Sequence, residues 1–159
     1  MKANCKRVVI LALRAVILGL LIQLSFPFIG GVYYSTCGDR GLEQAYLDRC
    51  IAHLQIMRVV CSDPDLQGIL DYTIRRYRRI GAWDVMVMPL HSIGGKIIGC
   101  NCPWCPGITL DTSLLLWPPE DTALIVAHEA MHDYYPFFGH GHINAREEKL
   151  YRLSYQVRF

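Results

Sequence analysis

The stretch Ala127-His128-Glu129-Ala130-Met131-His132 lies at the end of an apolar segment and decides how the rest of the chain is interpreted. If this stretch is helical, His128 and His132 lie four residues apart and project from one face. Two imidazoles so placed can bind one metal ion, and Glu129 then lies beside that ion. Two helix-face histidines without a metal are the simpler alternative. The sequence on both sides favours the metal site.

Start and stop signals around the two histidines predict a single helix. The acidic residues Glu120 and Asp121 follow a pair of prolines, where they complement the positive end of the helix dipole. An apolar run over residues 123–127 leads into the histidines, and Pro136 ends the helix. These signals place the two histidines in the last turns of the helix.

A catalytic zinc site needs a third protein ligand and an open position for water. Residues 137–143 are predicted to form a glycine-containing loop, and Asn144 to cap a last helix in which Glu147 completes a capping box. Either this loop or the last helix can return a side chain to the metal. Glu147 is our first choice for the third ligand. The alternatives are Glu148, His142 and His140.

The N-terminal residues 1–35 have the pattern of a targeting signal. A basic start precedes an apolar run from Val8 to Tyr34. This pattern predicts a transmembrane signal anchor, and a cleaved signal peptide for secretion is the alternative. By the positive-inside rule the N-terminus is cytoplasmic. Residues 36–159 are then expected on the extracytoplasmic side of the membrane, either periplasmic or extracellular.

Charge and cysteine content narrow the class of protein. The net charge of +2 is too small to indicate a nucleic-acid partner, and basic residues do not alternate with stacking aromatics. Six cysteines follow the N-terminal segment, which is an even number and enough for three disulfides in an oxidising compartment. They are Cys37, Cys50, Cys61, Cys100, Cys102 and Cys105.

Residues 36–159 alternate between helical and strand-like periods, which predicts a small α+β domain. The cap sequence Ser62-Asp63-Pro64-Asp65 marks one helix start. A short three-stranded sheet is expected before the His128–His132 helix, and a C-terminal helix after it. The predicted elements are helices over about 40–60 and 62–80, and strands over 83–88, 96–98 and 107–110.

The His-Glu-x-x-His segment and the order of elements around it resemble the zincin metallopeptidases, and among them the minimal gluzincins. The resemblance covers about residues 63–155. It implies a glutamate as third ligand, which corresponds to Glu147 or Glu148. It also implies a sheet over the active helix whose edge strand aligns an extended peptide, and the stretch Gly107 to Leu115 corresponds to that strand. The metzincin spacing, with Gly three and His six residues past the second His, is absent.

We therefore expect a membrane-anchored, extracytoplasmic zinc metallopeptidase (a hydrolase) whose substrate is a peptide or protein. Glu129 is expected to act as the general base. Two alternatives stay open. One is a non-enzymatic exported module in which zinc or disulfides shape a binding surface, and a closed site with four protein ligands would favour it. The other is a hydrolase of cell-wall amides that uses the same site.

Overall fold

A computed structural model describes residues 13–19, 21, 40–81, 83–90, 98–101 and 107–158. This part of the chain is a mixed α+β fold, mostly helical with a small three-stranded sheet, as the sequence predicts. The helices are α1 (Arg40–Val60), α2 (Pro64–Arg76), α3 (Pro119–Tyr134) and α4 (His140–Gln156). The strands are β1 (Val85–Met88), β2 (Gly99–Asn101) and β3 (Ile108–Asp111), and a 3-10 helix (Thr112–Leu116) follows β3.

Most of the predicted anchor, residues 1–35, lies outside the described residues. Residues 13–19 and 21 are helical, and their side chains are exposed. Within the described part of the chain, no helix combines the length and the apolar character needed to cross a membrane.

The first two helices follow local signals closely. Helix α1 has the predicted bounds. Helix α2 begins after Asp63, whose carboxylate accepts hydrogen bonds from the backbone amides of Asp65 and Leu66 at 3.0 and 3.4 Å. It ends at Arg76, earlier than predicted, because the chain leaves the helical conformation at Tyr77 and buries that side chain.

The sheet has the order β1-β3-β2, with β1 parallel and β2 antiparallel to β3. The prediction that Gly107 to Leu115 is an edge strand is therefore wrong. Strand β3 lies in the middle of the sheet, because it pairs with β1 on one side and with β2 on the other. After Asp111 the chain turns into the 3-10 helix, whose start is capped when the Asp111 carboxylate accepts from the amide of Ser113 at 2.8 Å.

The second strand lies slightly later than predicted. It covers Gly99–Asn101, whereas the prediction placed it over 96–98. Residues 96 and 97 lie outside the described part of the chain. Among the described strands, β2 lies at one edge of the sheet, and it packs against α3.

The last helix also differs from the prediction. It begins at His140, so residues 140–143 form its first turn and are not a loop. Gly139 is the N-cap residue, and its carbonyl accepts from the amide of His142 at 3.0 Å. Asn144 consequently lies inside the helix and cannot cap it, and the predicted capping box with Glu147 does not form.

Buried polar contacts join the helices at two places. The Tyr46 hydroxyl on α1 donates to the carbonyl of Leu114 or Trp117, at 2.6 and 2.8 Å, and lies 2.7 Å from the Thr122 hydroxyl of α3. Two turns further along α1, His53 Nε2 lies 2.9 Å from the hydroxyl of Ser154 in α4. Helix α1 thus supports the beginning of α3 and the end of α4.

Two of the cysteines predicted to form disulfides are free thiols. Cys50 and Cys61 are both buried, and the Cys61 thiol donates to the carbonyl of Asp63 at 3.5 Å. Burial raises the pKa of Cys50 to about 12, which keeps its thiol protonated. The expected framework of three disulfides needs both residues, so the structure does not form it. Cys37, Cys102 and Cys105 lie outside the described residues.

A close backbone approach at Gly107 gives a test of the sheet. A Cβ atom there would lie 2.3 Å from the Asp84 carbonyl oxygen and 2.9 Å from its carbon, so β1 and β3 would have to separate. We expect Gly107→Ala to lower the free energy of unfolding by about 1–3 kcal/mol in urea denaturation. Gly81→Ala is the control, since no described atom lies within 4 Å of its Cβ. Equal stability of the two variants would contradict this account.

Candidate metal centre

Three imidazoles from two helices meet at the junction of α3 and α4. His128 and His132 share one face of α3, as predicted, with ring centroids 5.3 Å apart. His140, the first residue of α4, brings its ring to 4.8 Å from that of His132 and 6.2 Å from that of His128. One ligand atom from each of the three residues lies within 4.8 Å of the others. These three residues could hold a metal ion.

The electrostatics of this group suit a cation. His128 and His132 are half-buried and His140 is exposed. Burial lowers the pKa of His132, and the neighbouring imidazoles of His128 and His140 lower it further. A neutral imidazole is the form that binds a metal ion.

Glu147 lies beside the group and contacts one of its members. Its carboxylate oxygen Oε2 is 3.2 Å from His128 Nδ1. That nitrogen is buried, and the contact lacks the alignment of a hydrogen bond. Two donors on one tetrahedral zinc ion, each about 2.0–2.2 Å from it, lie at a similar separation. Glu147 can therefore either bind the same ion or, after a small rotation, accept a hydrogen bond that orients His128.

Glu129 is enclosed between α3 and the edge strand β2. Its side chain is only 8 % exposed. Gly99 of β2 lies directly over it, and Asn101 donates a side-chain hydrogen bond to the Glu129 carbonyl at 2.7 Å. Burial raises the pKa of the Glu129 carboxyl, while His128 and the Asn101 backbone lower it. A raised pKa makes the carboxylate a stronger base, which suits proton transfer near neutral pH.

The two remaining candidates for the third ligand point elsewhere. Glu148 pairs with Arg152 Nη2 at 2.6 Å on the exposed side of α4. His142 stacks on Phe138 with ring centroids 4.2 Å apart, and its ring lies 4.9 Å from that of Tyr135. Of the four candidates, the structure thus brings His140 into the imidazole group and Glu147 against His128.

Sequence reasoning missed one contact next to the site. Tyr77 is fully buried, and its hydroxyl donates to Asp133, the residue that follows His132. Burial and the Asp133 carboxylate raise the pKa of Tyr77, so the phenol keeps its proton and remains a donor. The two residues are 56 positions apart, and no local pattern could have paired them.

Comparison of the chain with family models, with curated proteins and with solved structures found no match in any of the three. The resemblance to the minimal gluzincins therefore stays a prediction from the His128–His132 segment and the elements around it. The geometry and chemistry of the site are the basis on which a function can be proposed.

The adjacent residues Glu147 and Glu148 offer a matched pair of variants. We expect Glu147→Gln to weaken zinc binding by roughly 10–100-fold if Glu147 orients His128, and by more if it is itself a ligand. Glu148→Gln should leave the affinity unchanged because that carboxylate pairs with Arg152. Competition for Zn²⁺ against a chelator of known affinity measures both. Equal affinities for the two variants would exclude a role for Glu147.

Proposed function

We propose that the chain is a zinc-dependent metallopeptidase that hydrolyses peptide bonds of a peptide or protein substrate. One observation carries the proposal: His128, His132 and His140 each bring a ligand atom within 4.8 Å of the others, and the buried carboxyl of Glu129 interacts electrostatically with His128. Three imidazoles are an accepted ligand set for catalytic zinc, and they leave a fourth position for water. Glu147 is kept as the residue that orients His128, with direct ligation as the alternative.

Each residue has a defined part in the proposed reaction. When bound, a zinc ion lowers the pKa of a water molecule and polarises a carbonyl. The Glu129 carboxylate would accept a proton from the attacking water, whose oxygen bonds to the carbonyl carbon, and deliver that proton to the amine nitrogen as the C–N bond breaks. Its enclosure under β2 limits access of bulk water and keeps the carboxylate in one place. The three histidines supply neutral nitrogen donors and do not take part in proton transfer.

The observed sheet order supports a different strand as the one that would align a peptide substrate. Strand β2, and not the stretch from Gly107, is the edge next to α3. Among the described strands β2 pairs with β3, and we propose that this end of the sheet aligns an extended peptide by β-augmentation. A substrate aligned there lies close to Glu129, because Gly99 and Asn101 both contact that residue.

The decisive experiment measures metal content and peptide hydrolysis of the full chain. We expect the wild-type protein to retain zinc through gel filtration and to cleave a mixed library of fluorogenic peptides. Glu129→Gln should keep the zinc and lose about 10²–10⁴-fold in activity, the usual contribution of a general base. Glu120→Gln, at the start of the same helix, is the control and should retain both properties.

A second variant tests the position of Glu129 without changing its chemistry. A Cβ atom at Gly99 would lie 2.8 Å from Glu129 Oε1 and 3.0 Å from Ile125 Cγ2, so the flexible carboxylate must move. We expect Gly99→Ala to lower activity by up to about 10²-fold, as small displacements of reacting groups do, with zinc content unchanged.

Two outcomes would contradict the proposal. Unchanged hydrolysis by Glu129→Gln would overturn the mechanism, and a wild-type protein without zinc would overturn the metal site.

A closed zinc site in a non-enzymatic binding module is the second candidate. The contact between Glu147 and His128 favours it, because ligation by Glu147 would add a fourth protein ligand to the three histidines. The visible spectrum of the cobalt-substituted protein distinguishes the two. The spectrum of an open site changes when anions such as azide are added. The spectrum of a closed site does not change, and a protein with a closed site hydrolyses no peptide.

The proposed location is the extracytoplasmic side of a membrane, with residues 1–35 as the anchor. The basic start and the apolar run of that segment support it. We expect the full chain to stay in the membrane fraction after washing with alkaline carbonate. Release into the wash would contradict the anchor, and a mature protein that lacks the segment would favour the cleaved signal peptide.

A further inference from the structure

The start of α4 is tied to α2 and α3 by a network of three side chains. Arg146 Nε donates to Asp65 Oδ2 at 2.8 Å and to the Tyr135 hydroxyl at 3.1 Å. The Tyr135 hydroxyl in turn donates to Asp65 Oδ1. Asp65 belongs to the first turn of α2, Tyr135 ends α3, and Arg146 lies in the second turn of α4. One carboxylate therefore joins three helices.

The same arginine reaches the turn that carries His140. Arg146 Nη1 donates to the carbonyl of His142 at 3.2 Å. Two backbone hydrogen bonds complete the turn: the amide of His142 donates to Gly139, and the amide of Phe138 donates to Tyr135, at 3.0 and 3.1 Å. The network thus holds both ends of the connection between His132 and His140.

The number of partners and the partial burial of Arg146 distinguish this network from a single surface ion pair, although the Asp65 side chain is 42 % exposed. The Arg146 side chain is 21 % exposed, and its guanidinium carbon lies 4.8 Å from the centre of the Tyr135 ring. Burial and the Asp65 carboxylate raise the pKa of Tyr135 to about 12, so its hydroxyl stays protonated and available as a donor. Charge-assisted bonds with several partners fix a side chain far better than one exposed contact does.

A neighbouring ion pair between the same two helices provides the contrast. Lys149 Nζ contacts Asp63 Oδ2 at 2.9 Å, and the lysine side chain is 59 % exposed. Within the described residues Lys149 makes no hydrogen bond to the α3–α4 turn, and a single exposed ion pair of this kind contributes little to stability. This ion pair links α4 to Asp63, the residue that caps α2. Lys149 lies about one turn after Arg146 in α4.

We propose that Arg146 is a positioning residue, which acts through Asp65, Tyr135 and the His142 carbonyl to hold His140 within reach of His128 and His132. It thereby sets the affinity of the site for Zn²⁺ without touching the metal. The inference rests on the proposed function only in requiring that the three histidines bind zinc. Arg146 would thus influence the affinity for zinc although it is neither a metal ligand nor part of the His128–His132 segment.

The test compares two charge-removing variants of the full chain, Arg146→Gln and Lys149→Gln. We expect Arg146→Gln to weaken Zn²⁺ binding by roughly 10–100-fold in competition with a chelator, the range found when residues supporting metal ligands are lost. The cobalt-substituted variant should also show a changed visible spectrum, because His140 no longer holds its position. Lys149→Gln should stay within about twofold of the wild type and keep its spectrum.

The outcomes separate this inference from the proposed function. Equal affinity and equal spectra for the two variants would overturn the inference while the zinc site stands. A wild-type protein that binds no Zn²⁺ would overturn both. If Arg146→Gln does not fold, Tyr135→Phe removes one hydroxyl from the network, and we expect a loss in affinity of roughly threefold to tenfold, the value of one hydrogen bond. No change in Tyr135→Phe would again overturn the inference.

Discussion

Burial of α3 is the constraint on which the rest of the structure depends. The helix packs against α1, α2, α4 and the sheet, and the residues between its two histidines are buried. Ala127, Ala130 and Met131 are all fully buried. A helix held on so many sides cannot rotate about its axis. The face that carries His128 and His132 is therefore fixed toward α4, and Glu129 is fixed toward β2.

Burial shifts the pKa of Glu129 and the pKa of His132 in opposite directions within one turn of α3. Glu129 lies under a strand whose nearest residue is Gly99, where the absence of a side chain leaves just enough room for the carboxylate. Loss of water around it raises its pKa and makes it a better base. The same effect lowers the pKa of His132, which keeps the ring neutral and able to bind a metal. One apolar surrounding thus favours both parts of the proposed chemistry.

The junction of α3 and α4 decides which side chains complete the site. Because α4 begins at His140, that imidazole lies at the helix start and meets His132 at a centroid distance of 4.8 Å. Glu147 then falls two turns along the helix, opposite His128. The Arg146 network at this junction lies outside the His128–His132 segment, and it reaches the turn between His132 and His140 through a hydrogen bond to the His142 carbonyl. The geometry of this candidate metal site depends on how α3 and α4 pack against each other as much as on the side chains that could bind the metal.

The sequence by itself determined the local features: the bounds of α1, the cap of α2 at Asp63, the helix that ends before Pro136, and the common face of His128 and His132. These follow from signals within a few residues, such as caps, prolines and helical spacing. Only the tertiary structure decided that β3 is central, that Cys50 is a buried thiol, and that His140 joins the histidine pair. Strand order, burial and the approach of α4 depend on packing between distant residues, and no local pattern encodes that packing. The motif was therefore readable from the chain, whereas the arrangement that could make it a metal site depends on how the helices and sheet pack together.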